Sequence, residues 1–127
     1  MRIEHLALYV QDLEGMRAFY EHYFSARAAS RYHNPDTGLE TYFLSFEGEG
    51  RLELMTRPNL GPGADRAPAA GYAHLALSLG SRKAVDALTA RLRGDGFSVV
   101  SGPRVTGDGY YESCVLDPEG NRIELTV

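Results

Sequence analysis

The chain has 127 residues, 43% of them hydrophobic and 24% charged, with a formal net charge of -4. That length suits one globular domain or a pair of small fused units, and it buries roughly two-thirds of the unfolded surface without a staple. The acidic balance argues against a nucleic-acid binder; the lone Cys114 excludes an internal disulfide and a cysteine-based zinc site; no apolar run approaches the ~18 residues of a membrane span.

In chain order, the opening MRIEHLALYV has no cationic region leading into a long apolar stretch, so no signal peptide is expected and a cytoplasmic, reducing setting is the simple inference. It reads as a strand. A helix follows to Phe24, with Asp12 as N-cap and Leu13, Met16, Phe19, Tyr20 and Phe24 on one face. Strands are expected near Ala28–Tyr32, Glu40–Phe46 and Arg51–Met55, with Glu47-Gly48-Glu49-Gly50 as a turn. Pro58 to about Ala70, rich in Gly, Pro and Ala, reads as a linker. A second strand opens at His74. The second helix runs from its cap Ser81 to Arg93, with Val85, Leu88 and Leu92 as its stripe and Gly94 or Gly96 as its stop. Strands follow near Ser98–Ser101, Tyr111–Leu116 and Arg122–Thr126, the last two joined by the turn Asp117-Pro118-Glu119-Gly120-Asn121.

The order of elements repeats, and so do residues. His5-Leu6-Ala7-Leu8 matches His74-Leu75-Ala76-Leu77, and Arg51-Leu52-Glu53-Leu54 matches Arg122-Ile123-Glu124-Leu125. The two matches share nearly one offset, which chance does not readily give. The expectation is α+β: two βαβββ modules in a single domain over residues 1–127, with repeat 1 at about 1–57, a linker at about 58–70 and repeat 2 at about 71–127. They would form a curved, cup-like mixed sheet with the helices on its outer face.

Strand residues alternate faces. Leu6, Leu8, Leu52, Leu54, Leu75, Leu77, Ile123 and Leu125 form aliphatic faces for the helices to cover. The opposite faces carry His5, Glu53, His74 and Glu124, together with Tyr9, Arg51, Met55 and Arg122. Two imidazoles and two carboxylates in a partly dehydrated cleft suit Zn, Ni, Fe or Mn, and two ionised carboxylates there without a cation would be costly. Four such ligands leave one or two positions for water or substrate oxygen. A lone His or Glu on a strand is usually just a polar surface residue; the repetition singles these four out. His22 reads as part of a solvated helix face, His33 as a loop residue and Cys114 as a small strand hydrophobe. Tyr110, Tyr111 and Glu112 follow the flexible Thr106-Gly107-Asp108-Gly109, where they either border the cup or simply pack. Arg51 and Arg122 either meet an anionic substrate or sit solvated at strand ends.

With Ile3 to Leu13, Phe19-Tyr20, Gly71 to Leu77 and Leu116 to Leu125 in view, the chain resembles, over essentially its whole length, the vicinal oxygen chelate superfamily of glyoxalases, bleomycin-resistance proteins and extradiol dioxygenases. The order His, Glu, His, Glu is similar to bacterial glyoxalase I. That resemblance implies a lyase that isomerises the hemithioacetal of a 2-oxoaldehyde and a thiol by proton transfer through an enediolate. His5, Glu53, His74 and Glu124 would be metal ligands, Glu124 the base and Glu53 a second catalytic carboxylate. It further implies one divalent metal per site, nickel or zinc first, with Fe, Mn and Co also compatible. It also implies a small-molecule substrate and a homodimer. Tyr9, Arg51, Met55, Tyr110, Tyr111 and Arg122 are the candidate substrate contacts. Tyr9 and Arg57 stand where the glutathione-binding pattern has Arg and Asn, so another thiol adduct or vicinal-oxygen substrate stays open. So do ring cleavage by an iron dioxygenase, thiol transfer, and non-catalytic drug binding.

Overall fold

The structure, a computed structural model, describes residues 1–62 and 70–127. Most of the expected linker, residues 63–69, lies outside the described residues. The chain divides into two compact units, Met1–Ala64 and Asp65–Val127.

The first unit contains β1 (His5–Tyr9), α1 (Leu13–Phe24), β2 (Arg27–Ala28), β3 (Tyr32–His33), β4 (Glu40–Ser45) and β5 (Arg51–Thr56). Its sheet has the order β1-β5-β4-β2, with β3 also on β4. β1 and β5 are parallel, while β4 runs antiparallel to its neighbours. α1 starts where Asp12 accepts the Gly15 N–H at 2.9 Å, filling one of the donors a helix start leaves open. Leu13, Met16, Phe19 and Tyr20 are its buried stripe, packed against β5 and β4, where Leu44, Leu52 and Leu54 are buried. The expected strand at Ala28–Tyr32 is instead two short pieces. Ala28 pairs with Leu44 and Tyr32 with Thr41, so four steps on one strand meet three on the other. The extra residue is a bulge that breaks the ladder. It also moves His33 from the expected loop into β3, opposite Glu40.

The second unit repeats the order with β6 (Leu75–Ser78), α2 (Arg82–Gly94), β7 (Val99–Val105), β8 (Tyr111–Leu116) and β9 (Arg122–Thr126), arranged β6-β9-β8-β7. β6 and β9 are parallel and the remaining pairs antiparallel. Ser81 caps α2 through the Ala84 N–H at 3.2 Å. At the other end Gly96, at φ +92°, turns the chain so that its N–H reaches Arg93 O and the Phe97 N–H reaches Leu92 O, a glycine C-terminal motif. Val85 and Leu92 are fully buried as expected, but the third fully buried position on α2 is Thr89. Its hydroxyl donates to Val85 O at 2.7 Å and meets Ser113 Oγ of β8 at 2.5 Å, so two polar side chains share the core without an unmet partner.

β7 extends past the expected Ser101 to Val105, through Gly102-Pro103. Proline is tolerated because β7 is the sheet edge, where a missing N–H costs no ladder bond. Gly102 is required: its φ is +82°, and a Cβ there would stand 2.5 Å from Glu112 O and 2.8 Å from Ser113 Cα.

Candidate functional site

In each unit the first and last strands run side by side and in the same register. Ala7 lies opposite Glu53, and Ala76 lies opposite Glu124. The His two residues before each alanine therefore sits diagonally from the glutamate on the same face. The methyl group of alanine leaves the space above it open, so imidazole and carboxylate reach each other. His5 Nε2 is 3.7 Å from Glu53 Oε2, and His74 Nε2 is 3.4 Å from Glu124 Oε2. The glutamates are mostly covered, 16% and 21% exposed, and the imidazoles more open at 38% and 43%.

Among the described residues, no three or more His, Cys, Asp or Glu side chains stand together as a metal cluster; each unit by itself holds one His–Glu pair. The pair geometry nevertheless fits a shared cation. Two donors each about 2.1 Å from one ion stand roughly 3.0 Å apart at a right angle and roughly 3.4 Å at a tetrahedral one. The observed separations are close to this, and the 3.7 Å one is too long for a hydrogen bond. One neutral nitrogen and one carboxylate oxygen per unit is a donor set that borderline divalent ions accept.

The surroundings of the two pairs differ. In the first unit the carboxylate of Glu4 bonds both His5 Nδ1 and Arg51 Nη2. The His5 contact first, with Arg51 adding to it, holds Glu4 below the usual carboxylate range against the opposing effect of desolvation. The Arg51 guanidinium lies 4.3 Å from the centre of the Phe43 ring, and the same ring meets His5 edge-on at 5.3 Å. In the second unit Cys114 takes the place of Phe43, opposite the glutamate. Burial pushes the Cys114 thiol up, and Arg122 partly opposes this. Glu112 faces the same side as Glu124, across from Thr126. Burial first, then the neighbouring Glu124 carboxylate, pushes Glu112 up from the ordinary value, with Arg104 pulling the other way from 3.4 Å. The unit thus brings Glu112 and Glu124 together as two interacting acids.

The remaining candidates divide by strand parity. Tyr9 and Met55 pair with each other in register, Tyr9 exposed, on the His5–Glu53 face. Arg51 is on that face but held by Glu4 and Phe43. Arg122 lies on the Glu124 face. Tyr110 is exposed in the hairpin, its N–H bonded to Thr106 Oγ1 at 2.9 Å. Tyr111 is not brought to this face. It stands next to Glu112 in a strand and so points the other way, where its hydroxyl donates to Asp86 Oδ1 of α2 at 2.5 Å and Arg82 covers its ring. Two further acids neighbour the pairs: Glu4, which the sequence did not single out, and Glu112, which it left between bordering the cup and simply packing. Strand alternation from Glu124 through Cys114 would have found Glu112; nothing in the spacing marks Glu4 except its place beside His5.

β9 is aimed by the turn before it. The buried carboxylate of Asp117 accepts from the N–H groups of Glu119 (3.0 Å) and Asn121 (2.8 Å) and from Asn121 Nδ2 (2.8 Å), and Gly120 supplies φ +75°. This fixes the entry to Arg122–Thr126 and hence where Glu124 points.

Two βαβββ modules, each with a His at or just before its first strand and a Glu on its last within 3.7 Å of it, define a duplicated α+β protein. Residues 2–125 match the Glyoxalase/Bleomycin resistance protein/Dioxygenase superfamily, and the chain belongs to that family. A protein of Pseudomonas aeruginosa described as uncharacterized is 36% identical over 129 aligned positions, covering 98% of this chain and 86% of the relative. Among solved structures, lactoylglutathione lyase from Agrobacterium tumefaciens is 25% identical with a TM-score of 0.70, covering 98% of this chain and 92% of the other. The trypanothione-dependent glyoxalase I of Leishmania major shares the fold, with a TM-score of 0.80 at 22% identity over 99% of this chain and 86% of that one. No helix among the described residues is long and apolar enough to cross a membrane.

Proposed function

We propose that the protein is a metal-dependent lyase of the glyoxalase I kind, isomerising a small vicinal-oxygen substrate such as the hemithioacetal of a 2-oxoaldehyde and a thiol. The observation that supports this most is the His–Glu pair repeated at 3.7 and 3.4 Å, one in each unit. In this reading His5, Glu53, His74 and Glu124 hold one divalent ion, nickel or zinc, through two nitrogens and two oxygens. The ion, when bound, stabilises negative charge on a substrate oxygen as the carbon beside it loses a proton. Glu124 then takes that proton and returns it to the adjacent carbon, acting as base and then acid. Glu53, on the equivalent strand position, is the second carboxylate able to do so.

The alternation on β5 and β9 buries Leu52, Leu54, Ile123 and Leu125 on the side the helices pack against and leaves Glu53 and Glu124 on the other, while Leu6, Leu8, Leu75 and Leu77 of β1 and β6 are only half-buried. Tyr9, Met55 and the exposed Tyr110 supply contact surface for substrate, and Arg122 is the cation placed for an anionic group, since Arg51 is engaged by Glu4. Tyr9 and Arg57 depart from the glutathione-binding pattern, so the substrate is another thiol adduct or another vicinal-oxygen compound as readily as the glutathione one. A cytoplasmic homodimer completes the reading, the free thiol of Cys114 being at home in a reducing compartment.

The test is to strip the protein with chelator, reload it with Ni²⁺ or Zn²⁺, measure bound metal by mass spectrometry, and assay methylglyoxal adducts of several thiols. One ion per chain, lost in both His5→Ala and His74→Ala, with turnover of at least one adduct that Glu124→Gln abolishes, is the expected result. A fully metallated sample that turns over none of the adducts would remove the lyase assignment.

A further inference from the structure

The two imidazoles are repeat partners, yet they are held differently. His5 is enclosed on two sides: its Nδ1 contacts the Glu4 carboxylate, and its ring edge meets Phe43 at 5.3 Å and an interplanar angle of 89°. The Glu4 and Phe43 contacts are themselves joined by Arg51, which bonds Glu4 and lies 4.3 Å over Phe43. Four side chains thus close a ring of contacts: Glu4, His5, Phe43, Arg51. A carboxylate only accepts hydrogen bonds, so the His5 nitrogen facing Glu4 must carry the proton. In the neutral ring the other nitrogen, Nε2, then presents its lone pair toward Glu53, 3.7 Å away. His74 is preceded by Ala73, and Cys114 stands in the register position of Phe43, so neither of those positions supplies this ring.

We infer that Glu4 is a positioning residue that fixes the Nδ1–H tautomer and the ring orientation of His5, so that Nε2 is preset as a ligand. A carboxylate on the far nitrogen of a liganding imidazole fixes the ring and raises its basicity, and its loss typically weakens metal binding about 10–100-fold. The role as ligand rests on the metal-dependent reading above; the tautomer does not. The duplicated fold supplies its own internal control, because His74 has alanine where His5 has Glu4.

The experiment compares wild type, Glu4→Ala and Glu4→Gln. Long-range ¹H–¹⁵N NMR on the metal-free protein assigns the tautomer of each imidazole, and calorimetry with Zn²⁺ measures affinity. In Glu4→Ala, the Nε2–H form of His5 becomes populated, His74 keeps its signals, and Zn²⁺ affinity drops about 10-fold, the lower end of that range because Glu4 is half-exposed. Glu4→Gln, which keeps an acceptor oxygen, restores most of the tautomer preference. An unchanged Nδ1–H tautomer in Glu4→Ala, or an equal disturbance of His74, overturns the inference. If wild type takes up no Zn²⁺ while Glu4→Ala still switches the His5 tautomer, the positioning role stands and the metal-dependent reading falls.

Discussion

The buried contact between Thr89 and Ser113 gives a prediction with a definite sign. Thr89 has one hydroxyl proton, and it goes to Val85 O. The 2.5 Å contact with Ser113 must therefore be a donation from Ser113 to Thr89. Thr89→Val keeps the side-chain shape but leaves the Ser113 O–H in the core with no acceptor, a desolvation penalty of about 1–3 kcal/mol. Ser113→Ala removes the donor, and Thr89 still has Val85 O, so the loss is that of a single net hydrogen bond, about 0.5–1.5 kcal/mol. Removing both hydroxyls leaves nothing unmet, so the double variant is destabilised by less than the sum, with a coupling of about 1 kcal/mol or more. Urea unfolding followed by circular dichroism reads this directly. With an m-value of about 2 kcal/mol per molar, the midpoint moves by about 1 M in Thr89→Val and by about half that in Ser113→Ala, with m unchanged. A larger loss in Ser113→Ala than in Thr89→Val, or strict additivity in the double variant, would refute the assigned direction of donation. The pair also bears on the site, because Ser113 sits between Glu112 and Cys114 and anchors β8 to α2.

Gly102→Ala places a Cβ against the backbone of Glu112 and Ser113 at a positive φ, so it should lower stability by about 2–4 kcal/mol; a shift within error in the same urea assay would count against the assigned backbone. Asp117→Ala removes a buried carboxylate that accepts from Glu119 N, Asn121 N and Asn121 Nδ2, an expected loss of about 2–4 kcal/mol, while Asp117→Asn should retain about half of that. Glu14 is held below its ordinary value of 4.5 by the Tyr42 hydroxyl first and by Arg17 next. Its stabilisation is present above that value and fades as pH falls through the lower folded value. Glu14→Gln should therefore flatten the acid side of a stability-versus-pH curve while leaving its slope near neutrality unchanged; an unaltered acid limb would contradict the contact. At the alkaline end the same contact raises Tyr42, so its contribution disappears as pH rises through the folded tyrosine value.

How much of the protein could be read from the sequence follows from the range of each signal. Alternation in His5–Tyr9, Arg51–Thr56 and Arg122–Thr126 is a local property, and the structure buries Leu52, Leu54, Ile123 and Leu125 while leaving the glutamates on the other face. Helix limits followed from caps that act within three residues, Asp12 on Gly15 and Ser81 on Ala84. Duplication exposed the His and Glu positions because two copies of one module preserve register. Local signals failed where pairing overrode them: in the bulge that splits β2 from β3, and in β7, which continues through Gly102-Pro103 because an edge strand tolerates both. Thr89 was passed over because a polar residue enters the core only when a partner such as Ser113 waits on the strand the helix packs against.

The sequence by itself determined the α+β class, the two helices, the repeated module and the face on which each His and Glu lies, since these depend on periodicity and on residues a few positions apart. Tertiary structure decided which side chains meet. It set Ala7 and Ala76 opposite the glutamates, closed Glu4, Arg51 and Phe43 around His5, turned Tyr111 toward Asp86, and brought Glu112 beside Glu124. Apart from Glu4 on its neighbour His5, those contacts join residues well separated in the chain, and their geometry is fixed by strand register and packing, quantities that no single stretch of sequence contains.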